Sequence, residues 1–288
     1  MESLLSPTMD FVFKRLFGTD ENRVVLQDFL NSVFMDAGQP KVAQVELLNP
    51  YLDKDLADDK LGIVDVRART EGGTLIDVEV QVAPDPDFDR RTLYYWAKLF
   101  TGQITEGQAY WELHPTLTVN IVDFMMRPES TCHTIFTLQE RHSGRGFSDA
   151  LTIHFLELPK FRRQELVSHH RLTQWLLFLT LNTPEQLEEL AMDDPIMKQA
   201  LTNLEWLSQD RATRERYEAR QKALRDELSR MEGARRQGLK EGRFEESLEV
   251  ARKMLRAGVD LAQIMEWTDL TKDELIRLQS ESSPPHPS

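Results

Sequence analysis

A chain of 288 residues, 40% hydrophobic and 29% charged, has the make-up of an ordinary folded protein and the length for one large domain with an appendage or for two modest domains. Its formal net charge of −13 excludes a protein that coats nucleic acid over its whole surface, because phosphate affinity comes mainly from Lys and Arg; a local basic cleft or a bound divalent cation remains open. Cys132 is the single cysteine, which rules out an internal disulfide and a cysteine-based zinc cluster, and no stretch approaches the roughly 18 apolar residues of a membrane span.

The first residues lack a basic segment followed by an apolar run and do not read as a secretion signal, so a cytoplasmic protein without membrane contact is expected. Between residues 9 and 34, Phe11, Val12, Leu16, Val24, Leu26, Phe29, Leu30, Val33 and Phe34 recur at helical spacing. The interruption at Gly18-Thr19-Asp20 predicts two short helices. Strands are expected at 42–48 and 62–69, separated by an acidic, loop-like run at 53–59. Glu71-Gly72-Gly73 suits a hairpin turn into a strand at 74–82, which makes that pair antiparallel. Pro84-Asp85-Pro86 ends it, 88–109 reads as a helix, and 116–124 as a buried central strand. Strand, helix and strand then form a crossover unit with a parallel pair.

Two more strands, at 131–139 and 150–158, flank Gly144-Arg145-Gly146. Helical signals dominate from Arg162 to Leu207, and 208–232 reads as a charged, solvated helix. Gly233, Gly238 and Gly242, which follow Glu232, Gln237 and Glu241 in a charged stretch, are expected to weaken a continuous helix. Helices follow at 245–257, capped by Gly258, at 261–268 and at 272–278, where Thr271 and Glu274 have capping-box spacing. These three have the outline of a helix-turn-helix. The second of them carries an acid and no Lys or Arg, so an oligomerisation or interaction module is preferred to a base-reading one. The expected divisions are a core at 1–160, a helical extension at 161–232, a small helical tail at 233–280 and disorder at 281–288.

Alternation on the strand at 74–82 places Asp77, Glu79 and Gln81 on one face and Ile76, Val78, Val80 and Val82 on the other. On the preceding strand, Ile63, Asp65, Arg67 and Arg69 oppose Val64, Val66 and Ala68. If both apolar faces turn to the core, Asp65 and Glu79 emerge on the same side. Two hard carboxylates suit Mg²⁺, which can polarise a phosphate and lower the pKa of a bound water, the two needs of phosphodiester hydrolysis. The same pattern fits an antiparallel sheet whose solvated face simply carries carboxylates.

Asp65, followed on the next strand by Glu79-Val80-Gln81, resembles the PD-(D/E)XK nuclease signature, in which an Asp opens one strand and an acid-X-Lys triplet lies on the next. The chain is similar in particular to the recombination-promoting nuclease and transposase group of that superfamily. The similarity lies in Pro7-Thr8-Met9-Asp10-Phe11-Val12-Phe13-Lys14-Arg15-Leu16-Phe17, the triplet itself, Arg91-Thr92-Leu93-Tyr94-Tyr95-Trp96-Ala97-Lys98-Leu99, Gly107-Gln108-Ala109-Tyr110, the run 115–124 and the glycine-spaced tail.

The resemblance implies a restriction-endonuclease-like α/β fold, an αβββαβ core with a mixed sheet and a helical region after it, in agreement with the element order above. It implies Mg²⁺ held by Asp65, Glu79 and the main-chain carbonyl of Val80, DNA as partner, and endonucleolytic hydrolysis linked to recombination or transposition. Gln81 stands where the wider superfamily has Lys; an amide orients a water or a phosphate but brings no positive charge. Lys14 and Lys98 are the candidates to supply it, and both also read as surface lysines, Lys98 the more so.

Asp10 is either a further acid near the site or a helix-start residue. Tyr94, Tyr95 and Trp96 either stack on bases or fill the core, and Arg90 and Arg91 either contact phosphates or are solvated. The expected catalytic set is Asp65, Glu79, Gln81, Asp10 and Lys14, with Arg91, Tyr94 and Lys98 on the substrate. His169-His170 is assigned no role. The alternative is a catalytically inactive nuclease-fold interaction protein with a helical oligomerisation tail, and in both readings the C-terminal helices are expected to join copies in a homo-oligomer.

Overall fold

The computed structural model describes residues 3–50, 64–126, 131–163, 170–181 and 183–281. Helices α1 (Asp10–Phe17) and α2 (Arg23–Asp36) precede three strands, β1 (Val45–Leu48), β2 (Val66–Thr70) and β3 (Leu75–Gln81). Helix α3 (Phe88–Thr101) crosses over to β4 (Thr116–Val122), and β5 (His133–Gln139) and β6 (Gly146–Glu157) complete a sheet of order β1-β2-β3-β4-β6-β5. Pairing is antiparallel from β1 to β3, parallel across β3, β4 and β6, and antiparallel between β5 and β6. This mixed sheet with its helices is the restriction-endonuclease-like α/β fold that the sequence predicts.

Strand β3 lies mid-sheet and is covered on both sides. Ile76, Val78 and Val80 share a core with Val66 and Ala68 of β2, Val119 and Ile121 of β4, and Phe13, Phe17 and Phe29 of α1 and α2. The opposite face lies under α3, where Phe88, Leu99 and the half-buried Trp96 pack on the sheet. Asp77 pairs in register with Thr118 and Glu79 with Asn120, so a polar strip runs beneath that helix. The alternative of a solvated face does not hold: Asp77 is 1% exposed and Glu79 8%.

The helices α5 (Arg171–Thr180), α6 (Pro184–Ala191) and α7 (Pro195–Gln209) follow a one-turn α4 (Leu158–Phe161). They join the same core rather than forming a separate layer. Trp175 lies within 5.7 Å of the Phe17 ring and 5.8 Å of the Phe29 ring, and its indole N–H donates to Asp28 at 2.8 Å. The first unit accordingly runs from Met1 to Arg220 and includes most of the stretch set apart in the sequence as an extension.

Several boundaries move for local reasons. Residues 42–44 leave β1 because the amides of Ala43 and Gln44 bond the Glu71 carboxylate, at 2.8 and 3.2 Å, instead of a neighbouring strand. Helix α3 ends at Thr101 and not near 109, with the Gly102 amide returning to the Lys98 carbonyl at 3.0 Å. The β2–β3 turn uses Gly73 at φ 87°, a conformation open to glycine, and a Cβ there would meet the His114 ring at 2.6 Å. The predicted loop at 53–59, the segment 164–169 with His169, and the predicted tail beyond 281 lie outside the described residues.

The second unit, Gln221 to Ser288, contains most of α8 (Arg211–Arg256), then α9 (Leu261–Thr268) and α10 (Lys272–Glu281). Helix α8 runs unbroken through Gly233, Gly238 and Gly242, which corrects the expected weakening. Each glycine costs about 1 kcal/mol relative to Ala, a penalty spread over a cooperative helix of good formers and i,i+4 pairs such as Glu232–Arg236 at 3.3 Å and Gln237–Glu241 at 2.9 Å. Ala251, Ile264, Leu270, Leu275 and Leu278 form this unit's own small core, and Gly258 turns the chain at φ 75° as the expected cap. No described helix is long and apolar enough to cross a membrane.

Candidate metal centre

The β2–β3 ladder ends at the pair Val66 and Val78, and the next two residues, Asp65 and Glu79, continue it through their side chains. The Val80 amide donates to Asp65 Oδ2 at 2.9 Å, and the Asp65 amide donates to Glu79 Oε1 at 3.0 Å. Each carboxylate is thus oriented by the backbone of the opposite strand. Lys14 of α1 brings its ammonium within 3.1 Å of Asp65 Oδ1. Asp65, Glu79 and Val80 therefore meet where the strands part.

Three acids crowd this place. Burial pushes the Glu79 carboxyl well above its ordinary range, Asp77 and Asp65 add like-charge repulsion, and the Asp65 amide and Arg91 pull the other way. Burial and then the Asp65 charge raise Asp77, against Arg67 and Arg91. Burial also raises Asp65, opposed by the Val80 amide and Lys14, with a smaller upward push from Asp10. Asp77 Oδ1 is buried without a hydrogen-bond partner. The cluster is short of positive charge, and a buried carboxylate in that condition is normally paired or metal-bound.

A divalent cation fits this deficit, and the donors are oxygens throughout, as Mg²⁺ prefers. Among the described residues no three carboxylate, imidazole or thiolate groups surround one point closely enough to hold an ion. The ion would rest on Asp65 and Glu79, with the Val80 carbonyl beside them and waters or substrate oxygens completing its shell, the usual manner of holding Mg²⁺.

The remaining predicted residues divide. Arg91 stands at the site, donating to Asp85 Oδ2 at 2.8 Å and to Gln81 Oε1 at 2.9 Å. Gln81 donates its own amide to the Ala83 carbonyl at 2.9 Å. The cations felt most strongly by the three acids are Lys14, Arg67 and Arg91. Asp10 is near enough to act on Asp65, but its carboxylate takes the Phe11 amide at 2.8 Å and pairs with Arg220 at 3.0 Å. Helical spacing sets Arg91, Tyr94, Tyr95 and Lys98 along one side of α3.

Tyr95 in that row responds to the carboxylates: burial raises its pKa, and the Glu79 charge adds to the rise. The half-buried Tyr94 lies with its ring 6.0 Å from that of Tyr95, and Lys98 sits a turn further on. Trp96 is structural, its indole N–H donating to the Thr116 carbonyl at 3.1 Å and its ring stacked on Phe100. Asp77 was absent from the predicted site. The available signal was its alternation with Glu79, but nothing in the sequence says that a helix closes over both.

Comparison with known families gives two matches. Residues 7–234 match the family model described as PD-(D/E)XK nuclease family transposase. Residues 244–280 match a second model, described as the Rpn/YhgA-like nuclease family, C-terminal HTH domain. The preference for an oligomerisation module over a helix-turn-helix in those helices is thereby corrected: the helix-turn-helix outline of the three helices was the better guide, and the lack of Lys and Arg on α9 the poorer one. No curated protein and no solved structure gives a match.

Proposed function

The chain belongs to the PD-(D/E)XK nuclease family transposases, and from that premise we propose that it is a Mg²⁺-dependent DNA endonuclease acting in DNA recombination or transposition. The observation that carries the reading is the reciprocal clasp of Asp65 and Glu79, two acids held together by the backbone despite mutual repulsion. The two amide hydrogen bonds offset only part of the cost of burying like charges together, and a bound cation would offset more of it. When bound, Mg²⁺ polarises the scissile phosphate and supplies a water of lowered pKa.

The protein's own residues prepare this step. The Val80 amide fixes Asp65, the Asp65 amide fixes Glu79, and Lys14, at 3.1 Å from Asp65, sets a cation against that carboxylate. Asp10 adds negative charge at the margin, and Arg91, Tyr94 and Lys98 along α3 offer a guanidinium, a phenol and an ammonium to the DNA backbone. The helix-turn-helix segment supports DNA as the partner. We further assign the chain to the cytoplasm and its C-terminal helices to contacts between copies of itself.

Plasmid cleavage tests the reading. The protein should nick or linearise plasmid DNA with Mg²⁺ and stop on chelation, and Asp65→Ala and Glu79→Gln should each lose about 100-fold or more in rate. Cleavage that survives chelation, or that is unchanged in both variants, would leave the inactive interaction protein as the better account.

A further inference from the structure

Gln81 is engaged at both ends: its carbonyl oxygen accepts from Arg91 at 2.9 Å, and its amide nitrogen donates to the Ala83 carbonyl at 2.9 Å. The protein thus fixes the orientation of the amide. Arg91 is held more firmly still, by Asp85 at 2.8 Å, by Gln81, and by the Phe88 ring 4.9 Å from the guanidinium carbon. A guanidinium carries five N–H donors in a fixed fork, so these two bonds leave donors for phosphate oxygens. Its side chain keeps 27% of its surface exposed, and its charge acts on Asp77, Glu79 and Tyr95.

We infer that Gln81 is a positioning residue that works through Arg91, and that the guanidinium it aims is the group presenting positive charge to the scissile phosphate. This rests on the nuclease reading and deepens it. It also explains why an amide stands at position 81: a lysine there would set an ammonium against a guanidinium already fixed at hydrogen-bond distance. Gln81 is neutral and accepts, which is what the Arg91 N–H requires. Lys14 has a different task, since its charge acts on Asp65.

Wild type, Arg91→Ala, Gln81→Lys, the double variant and Arg91→Lys are assayed for Mg²⁺-dependent plasmid cleavage. Each is also titrated with a DNA duplex across a salt series with Ca²⁺ in place of Mg²⁺, and thermal midpoints confirm folding. Arg91→Ala should lose about tenfold or more in kcat and lower the salt slope of binding by about 1. Gln81→Lys alone should also lose activity, the double variant should recover most of it, and Arg91→Lys should keep part.

The inference is overturned if Gln81→Lys alone is as active as wild type, or if Arg91→Ala cleaves within about twofold of wild type with an unchanged slope. Should Arg91→Ala not fold, Arg91→Lys and Gln81→Lys decide by the same criteria. If the wild type does not cleave at all, the nuclease reading fails by itself, and the salt slopes alone decide whether Arg91 meets phosphate.

Discussion

Asp77 shows at the scale of one residue what the site costs the fold. It is 1% exposed, one oxygen has no partner, and two further acids repel it. Asp77→Asn preserves the shape and removes one of three like charges, so the metal-free protein should become more stable. The thermal midpoint should rise by about 2–4 °C for each kcal/mol recovered, and the added stability from Mg²⁺ should shrink. A midpoint equal to or below that of wild type would mean the acids are already compensated. Alternation puts Asp77 beside Glu79 in the sequence, yet its burial depends on α3, which is contributed from seven or more residues downstream of β3.

At the scale of elements, the β5–β6 pair carries a second polar arrangement, away from the carboxylates. His133 bridges Asp36 of α2 and His154 of β6, with 3.0 Å between the two rings' bonded nitrogens, and His154 is fully buried with its Nε2 unpartnered. Burial, and then the nearby His133, depress the His154 pKa from 6.5 to about 3. The folded chain therefore binds fewer protons than the unfolded chain between those values. His154 favours folding fully above pH 6.5, and stability falls as pH drops toward 3, by up to about 1.4 kcal/mol per pH unit. The raised carboxylates act with the opposite sign, so the informative quantity is the difference between wild-type and His154→Phe stability profiles. That difference should steepen below pH 6.5; a flat difference would show that His154 is charged in the folded state.

At the scale of the whole molecule, an acidic chain is asked to bind a polyanion, and the two family matches suggest how the work divides. Ending the chain at residue 243 removes the segment matched to the helix-turn-helix. DNA affinity should fall by about tenfold or more, while the cleavage that remains should still require Asp65, Glu79 and Mg²⁺. Fluorescence anisotropy gives the affinity, and light scattering on the same protein shows whether copies part. Unaltered affinity would place DNA binding wholly in the nuclease core.

The sequence by itself determined the order of elements, the antiparallel hairpin followed by a parallel crossover, and the shared strand face of Asp65 and Glu79. These are local matters, since a period of two assigns faces and turn chemistry assigns pairing. It did not show that α5–α7 complete the main core, because amphipathic helices carry no address for the surface they cover. Nor did it show that α8 survives three glycines, because cooperativity belongs to the helix as a whole. Only the tertiary structure decided where positive charge lies around the acids: Lys14 comes from the first helix and Arg91 from the third, each brought within reach by packing. Gln81, which as a sequence letter was a missing charge, is in three dimensions the acceptor that holds one in place.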